Sequence, residues 1–485
     1  MARPRVLHVA AELFPWVKTG GLGDVVAALP PALAALGADI RLVVPGFTAL
    51  LDALPQREVV RLRTPFAGER TRIALATLPG SGLPVYLIDH PAFFDRPGTP
   101  YQALDGSDWP DNHRRFALLG WVAAALAQGA DPEWQPQILH GHDWHAGLAP
   151  AYLRAAGAAV HSIFTVHNLA YRGQYSAGLY ADLALPAGFF SIEGVEFYGD
   201  FSFIKAGLYY ADRLTTVSPT YAREIQTPQF GMGLDGLLRS RADVLSGILN
   251  GVDPVVWAPE TDRLLPQVYG LDEVVAGKQV AKAALERRFG LPEMPGAPLF
   301  GAVSRLTPQK GLDLLLMALP GLIERGGRLV LLGSGDTDLE AGFTTAVQNY
   351  PGRVGVVLGY DEVLSHLIIA GSDSILMPSR FEPCGLTQLY ALRYGALPLV
   401  RRTGGLADTV IDANAVTLAD GTATGFAFDD ETPAALLVTI QRAIALYGDR
   451  AIWQRAIQQA MTRDFSWQSA ARDYLALYRG LVPVA

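Results

Sequence analysis

Short apolar runs rich in β-branched residues alternate along the chain with longer stretches of helical character. Val6-Leu-His-Val-Ala predicts a strand, a glycine-rich turn follows, and Val25 to Leu36 predicts a helix before the next strand, Ile40 to Val44. Gln137 to His140, Ser162 to Val166 and Leu214 to Val217 predict further strands, separated by helical stretches such as Arg115 to Ala127. Strands alternating with helices imply parallel sheets covered on both faces. Between Val59 and Asp89 two or three β-like runs lie close together, predicting hairpins on the main sheet. The segment from Pro254 to about Met294 breaks the rhythm and opens on a turn signal, Asn250-Gly251-Val252-Asp253-Pro254, so the interdomain connection is placed there. A second series follows, with strands predicted at Leu299–Val303, Arg328–Leu332, Val354–Leu358, Ser374–Met377 and Leu397–Val400. The last predicted helix, Ser469 to Arg479, could pack on either domain.

A chain of 485 residues is too long for one ordinary core. The pattern predicts an α/β protein of two Rossmann-like doubly wound domains, residues 1–249 and 250–465, facing a central cleft. Ligands of open α/β sheets bind at such strand ends. The formal charge of −8 argues against a general affinity for nucleic acid or an anionic membrane. A neutral polysaccharide is indifferent to that charge, whereas a nucleotide needs a local basic patch. With the single cysteine Cys384 no intrachain disulfide can form. No signal-peptide pattern follows Met1, and no apolar run reaches the roughly 20 residues a bilayer needs. These features predict a cytoplasmic protein.

Three motifs fall at predicted strand ends. Lys18-Thr-Gly-Gly-Leu-Gly-Asp24 combines glycines, which let a ligand approach the backbone, with a helix N-terminus and a point charge, as a diphosphate requires. It is neither a dinucleotide fingerprint nor a phosphate-binding loop of the ATPase type. Asp24 fits a helix cap or a contact to a sugar hydroxyl better than a phosphate contact. In Ser304-Arg305-Leu-Thr-Pro-Gln-Lys310-Gly311, one forked and one compact cation suit a leaving diphosphate without a metal. In Pro378-Ser-Arg-Phe-Glu382-Pro-Cys384-Gly385-Leu-Thr387-Gln388, a carboxylate precedes a helix start. The backbone at Cys384, Gly385 and Thr387 could hold sugar hydroxyls or a phosphate there, with Glu382 near the reacting sugar. Each motif has a plainer reading as well: a tight turn, solvated surface charge, or a capped helix with a buried cysteine.

Histidine concentrates in His140-Gly-His142-Asp143-Trp-His145 and in Thr165-Val-His167-Asn168. The spacing matches no common zinc pattern and no thiolate set exists, so a polar sugar site is expected in preference to a metal. His167 is then a hydroxyl partner or a charge stabiliser. Asp336-Thr-Asp338 resembles a metal-holding D-x-D, but it follows Gly333-Ser-Gly335 and reads better as helix-capping acids.

Taken together, these segments resemble the bacterial glycogen synthases and plant starch synthases over almost the whole chain. The resemblance also rests on Lys205-Ala-Gly-Leu-Tyr-Tyr-Ala-Asp, Val217-Ser-Pro-Thr-Tyr-Ala-Arg-Glu-Ile, Leu249-Asn-Gly-Val-Asp and Thr403-Gly-Gly-Leu-Ala-Asp-Thr-Val. It implies the two-domain glycosyltransferase B fold, with the final segment 466–485 crossing back to the first domain. It also implies ADP-glucose as donor and the non-reducing end of an α-1,4-glucan (glycogen or maltooligosaccharides) as acceptor, with retention of configuration and no metal or other cofactor. Carried over by motif, Arg305 and Lys310 bind the diphosphate, while Glu382 and the Cys384-Gly385 backbone hold glucose hydroxyls. His167 contacts the transferred glucose and Asp143 lies near the reaction centre. Lys18, Gly21, Asp24, Asn250 and Thr387 complete the donor site, Tyr360 stacks near adenine, and Tyr101 contacts the acceptor. Many related enzymes carry a second Glu eight residues after the first; Tyr390 stands there, so it receives no ribose-binding role.

Retention allows either two inversions through a glycosyl-enzyme or a front-face attack. No second carboxylate can be assigned to the far face of the sugar from the sequence, which favours the front-face route. Two other readings compete. An α-glucan phosphorylase would carry a pyridoxal phosphate Schiff base. A non-catalytic glucan-binding protein would consume no nucleotide sugar.

Overall fold

A computed structural model describes residues 3–66, 70–253 and 255–482; Pro254, part of the expected turn, lies outside them. The chain divides into two compact units, Met1–Gly251 with Trp467–Ala485, and Val252–Ser466.

Among the described residues of the first unit, one sheet has nine strands: β1 (Arg5–Val9), β2 (Asp39–Pro45), β3 (Gln56–Arg63), β4 (Arg70–Thr77), β5 (Pro84–Asp89), β6 (Ile138–His142), β7 (His161–Val166), β11 (Arg213–Thr216) and β12 (Leu245–Gly247). A small antiparallel sheet holds β8 (Gln174–Tyr175), β9 (Glu196–Phe197) and β10 (Asp200–Ser202). The large sheet runs β12-β11-β7-β6-β1-β2-β5-β4-β3, parallel from β12 to β5. The β-rich run from Val59 to Asp89 forms its antiparallel edge, β3–β4–β5. Central strands are buried on both faces, which is why β1 reads as a continuous apolar run with one histidine in it.

The first helix, Gly21–Ala35, starts four residues before the expected Val25. Glycine propensity hides that start, but the motif itself forms the first helical turn behind the N-cap Gly20. The C-terminal helix Trp467–Leu481 buries Trp467, Ala470, Ala471, Tyr474, Leu475, Tyr478 and Leu481, an unbroken helical stripe. That stripe packs on the first unit, partly against the helix Gly21–Ala35.

In the second unit, β13 (Leu299–Val303), β14 (Arg328–Gly333), β15 (Val354–Leu358), β16 (Ser374–Met377), β17 (Leu397–Arg401) and β18 (Phe426–Phe428) form a parallel sheet ordered β15-β14-β13-β16-β17-β18. This is the doubly wound order, with its switch point between β13 and β16. β18 escaped the sequence pattern because three residues carry too little periodicity. Both units therefore have the α/β architecture expected. No helix among the described residues is long and apolar enough to cross a membrane.

Candidate active site

In the second unit, β13 and β16 lie side by side, so the loops that leave their C-terminal ends meet although about 70 residues separate them. Lys310 Nζ stands 2.6 Å from Glu382 Oε2, which also accepts from Ser379 Oγ at 3.1 Å. Both carboxylate partners come from loops, and the Glu382 side chain is 7% exposed against 20% for Lys310. Arg305, exposed, opens the same β13 loop. Cys384 is buried and Gly385 half-buried ahead of the helix Thr387–Arg393, whose first residue, Thr387, is half-buried too.

Two glycines let these loops interlock. Gly311, at φ +62°, would set a Cβ 2.1 Å from the Pro378 carbonyl oxygen, and Gly404, at φ +44°, one 2.0 Å from that of Glu382. Only a residue without a side chain fits either place. Arg380 clamps the same loops: it meets Asp313 through two hydrogen bonds of 2.7 and 2.6 Å, donates to the Pro308 carbonyl and bonds Glu431 at 2.6 Å. Sequence reasoning assigned no role to Arg380 or Gly404; partners 51 to 72 residues away for Arg380, and 22 away for Gly404, leave no local trace. Tyr360 lies just beyond β15, exposed, its hydroxyl donating to Glu362. Tyr390 stacks flat on Trp257 with ring centroids 3.8 Å apart. Asp336 caps the helix Thr337–Asn349, accepting from the N–H groups of Asp338 and Leu339, as its position after a glycine turn suggested.

In the first unit, the parallel strands β1, β6, β7 and β12 release their loops at one sheet edge. Buried Glu12, just past β1, accepts from the N–H groups of Thr19 and Gly20 at 2.9 and 3.3 Å and from the Tyr101 hydroxyl at 2.5 Å. It thus holds the glycine-rich loop, a part the sequence signalled only as an acid interrupting an apolar run. Tyr101 is spent on Glu12 through its hydroxyl and on His145 through its ring, 4.7 Å away. Lys18 pairs with Asp24 at 2.9 Å. Asp24 lies a turn inside the helix, so it does not cap it; the N-cap Gly20 has no side chain to offer. Gly21 is exposed at the helix start, and buried Asn250 follows β12. The end of β12 lies four strands from β1, about 19 Å at sheet spacing.

Asp143 and His167 are brought together at the ends of neighbouring β6 and β7. Asp143 Oδ1 accepts from the backbone N–H of His167 at 3.1 Å and of Asn168 at 3.3 Å. Its backbone sits at φ +60°, ψ −179°, a region costly for a residue with a side chain and typical of functional turns. Burial raises its pKa to about 7, with the Glu12 charge adding and the backbone N–H groups opposing. Burial holds His167 down to about 4, hence neutral.

His8, His140 and His142 gather with ligand nitrogens within 4.8 Å of one another, a spacing a metal ion could bridge. Each of the six nitrogens, however, already faces a neighbouring ring or hydroxyl. The donor set therefore fits a hydrogen-bonded hub better than an ion site.

Comparison with known proteins decides the lineage. Residues 5–240 match the family model for the starch synthase catalytic domain, and 285–460 that for glycosyl transferases group 1. A glycogen synthase of Albidiferax ferrireducens is 53% identical over 99% of this chain and 100% of its own length. One of Francisella tularensis subsp. novicida is 51% identical over 99% of both. This chain belongs to the glycogen and starch synthase family. The catalytic domain of starch synthase IV from Arabidopsis thaliana, solved bound to ADP and acarbose, superposes with a TM-score of 0.87 at 33% identity, covering 99% of each chain. A sucrose-phosphate synthase from Thermosynechococcus elongatus shares the fold at TM-score 0.60 and 19% identity. The chain is accordingly a glycosyltransferase of the B fold, an enzyme, with two α/β domains.

Proposed function

We propose that this enzyme lengthens glycogen by transferring glucose from ADP-glucose to the non-reducing end of an α-1,4-glucan with retention. The observation that carries this is the Lys310–Glu382 pair at the β13/β16 switch point, in a chain whose full-length relatives are glycogen synthases. In this reading Lys310 and Arg305 neutralise the diphosphate and the charge that develops as ADP departs. Glu382, held by Lys310 and Ser379, takes hydroxyls of the donor glucose together with the backbone of Cys384, Gly385 and Thr387. Tyr360 stacks on adenine. His167 contacts the transferred glucose, Asp143 supports the turn that carries it, and Lys18, Gly21, Asp24 and Asn250 complete the polar lining. Tyr101 reaches the acceptor through its ring edge, since its hydroxyl is engaged.

The acceptor's 4-hydroxyl oxygen bonds to the anomeric carbon on the face from which the phosphate leaves. The carbon–oxygen bond to the phosphate breaks with its electron pair on ADP, and a phosphate oxygen takes the acceptor's proton. Asp143 supports this route: burial and two backbone donors shape its carboxyl for a structural hold on the turn, and a group biased towards its neutral form is a poor nucleophile. Fixed cations do the work a metal does in other transferases, so EDTA should leave the rate unchanged. A nucleotide-sugar donor and a single, buried cysteine, Cys384, that can form no intrachain disulfide support a cytoplasmic setting.

The test is nucleotide release from ADP-glucose and UDP-glucose, each with and without glycogen. Glycogen-dependent ADP release, with much less from UDP-glucose, is expected. A UDP preference would overturn the donor assignment. No release from either by folded protein would remove the synthase reading.

A further inference from the structure

Behind His167 the polar contacts continue into the core. His167 Nε2 lies 3.2 Å from His142 Nδ1, and His142 Nε2 lies 2.9 Å from His8 Nδ1. His8 Nε2 is 3.4 Å from the Tyr478 hydroxyl, which is 2.7 Å from His140 Nδ1. His140 Nε2 meets Thr165 Oγ1 at 2.6 Å, and Thr165 Oγ1 meets Thr215 Oγ1 at 2.5 Å. Parallel register creates the line: His8 faces His140 across β1 and β6, and His142 faces Thr165 across β6 and β7. The C-terminal helix supplies Tyr478, fully buried, 338 residues from His140.

Burial keeps all four rings neutral, His8 at about 3, His167 at about 4, and His140 and His142 well below the usual imidazole value. A neutral imidazole has one donor and one acceptor nitrogen, so a line of them must be polarised in a single sense. Tyr478 has one proton to give. Its contact to His140 Nδ1 is the short one, so the hydroxyl donates there and its oxygen accepts from His8 Nε2–H. His142 Nε2–H then donates to His8 Nδ1, and His167 Nε2–H donates to His142 Nδ1. His167 Nδ1, with no partner among the described residues, is left as a bare acceptor.

We infer that this buried line, anchored on Tyr478, fixes His167 as its Nε2–H tautomer and so presents Nδ1 to accept a hydrogen bond from a hydroxyl of the transferred sugar. His142, His8 and Tyr478 are positioning residues for the transfer, and the C-terminal helix is part of the catalytic apparatus through Tyr478. The inference rests on the reading of His167 as the glucose contact.

The experiment is a two-bond proton–nitrogen correlation spectrum of the histidine-labelled full chain, with His167 assigned through His167→Gln; nine histidines keep it readable. The wild type should show His167 in the Nε2–H form alone. Tyr478→Phe should convert it to a tautomer mixture and lower kcat about 10-fold, the lower end for losing an orienting partner, with the KM for ADP-glucose within about twofold. A wild-type Nδ1–H form or mixture would overturn the inference, even if Tyr478→Phe fails to fold. So would a Tyr478→Phe variant with unchanged tautomer and kcat, or stoichiometric metal on the three histidines of the purified protein. Near-normal turnover by His167→Gln would instead remove the glucose-contact reading beneath it.

Discussion

Asp143→Asn should make the first unit's stability less dependent on pH, and the size of the effect follows from the surroundings of the carboxyl. Burial raises the Asp143 pKa from 3.8 to about 7 in the folded chain. Between those values the folded protein keeps a proton that the unfolded chain has released. Stability therefore falls as pH rises through that window and levels off above about pH 7. At about 1.4 kcal/mol per pH unit, the whole span costs about 4 kcal/mol, and the part between about pH 5.5 and 8 costs about 2 kcal/mol. Asparagine keeps the oxygen that accepts from His167 and Asn168 and has no charge to bury. For a unit of roughly 270 residues the unfolding entropy near the midpoint is about 0.6 kcal/mol per kelvin, so 2 kcal/mol corresponds to about 3–4 °C. Melting curves of both proteins at equal ionic strength should show the variant's Tm advantage growing by that amount from about pH 5.5 to 8. A constant gap would mean that Asp143 titrates alike in both states. A gap shrinking with pH would mean that the folded site prefers the carboxylate, and either result refutes the burial argument.

Lys310→Met leaves Glu382 buried without its cation and should cost about 3 kcal/mol in denaturant unfolding and about 10²-fold or more in turnover. Lys310→Met combined with Glu382→Gln should recover most of that stability and none of the turnover; recovery of neither would mean that the pair is not coupled. Gly404→Ala forces a Cβ against the Glu382 carbonyl at positive φ and should cost about 3 kcal/mol, with turnover falling as Glu382 shifts; an unchanged protein would refute the interlock. Arg380→Lys cannot span Asp313, Glu431 and the Pro308 carbonyl together, so the KM for ADP-glucose should rise several-fold with little change in melting temperature.

Much of the alternation of strands and helices was legible in the sequence, as were the motifs at the strand ends, because both depend on local pattern. Buried parallel strands must be apolar, and the loops that follow them must carry glycine and charge, so Val6–Ala10 and Leu299–Val303 announced themselves with the motifs behind them. Lys310 and Glu382 were picked as separate motifs. Their meeting at 2.6 Å depends on β13 and β16 being neighbours, which no window of sequence encodes.

Other residues carried no signal that chemistry could read locally. Glu12 looked like an acid at the end of an apolar run, and Arg380 and His8 drew no reading of their own. Each acquires its role from partners seven to 470 residues away. The helix Trp467–Leu481 shows the division most clearly. Its own spacing of apolar residues dictated that it be a helix with one buried face, because local backbone hydrogen bonds and a 3.6-residue period need no partner to be specified. Which surface that face covers, and that Tyr478 thereby closes a line of histidines, was decided only by tertiary packing, where burial of the whole stripe selects one site among all exposed ones.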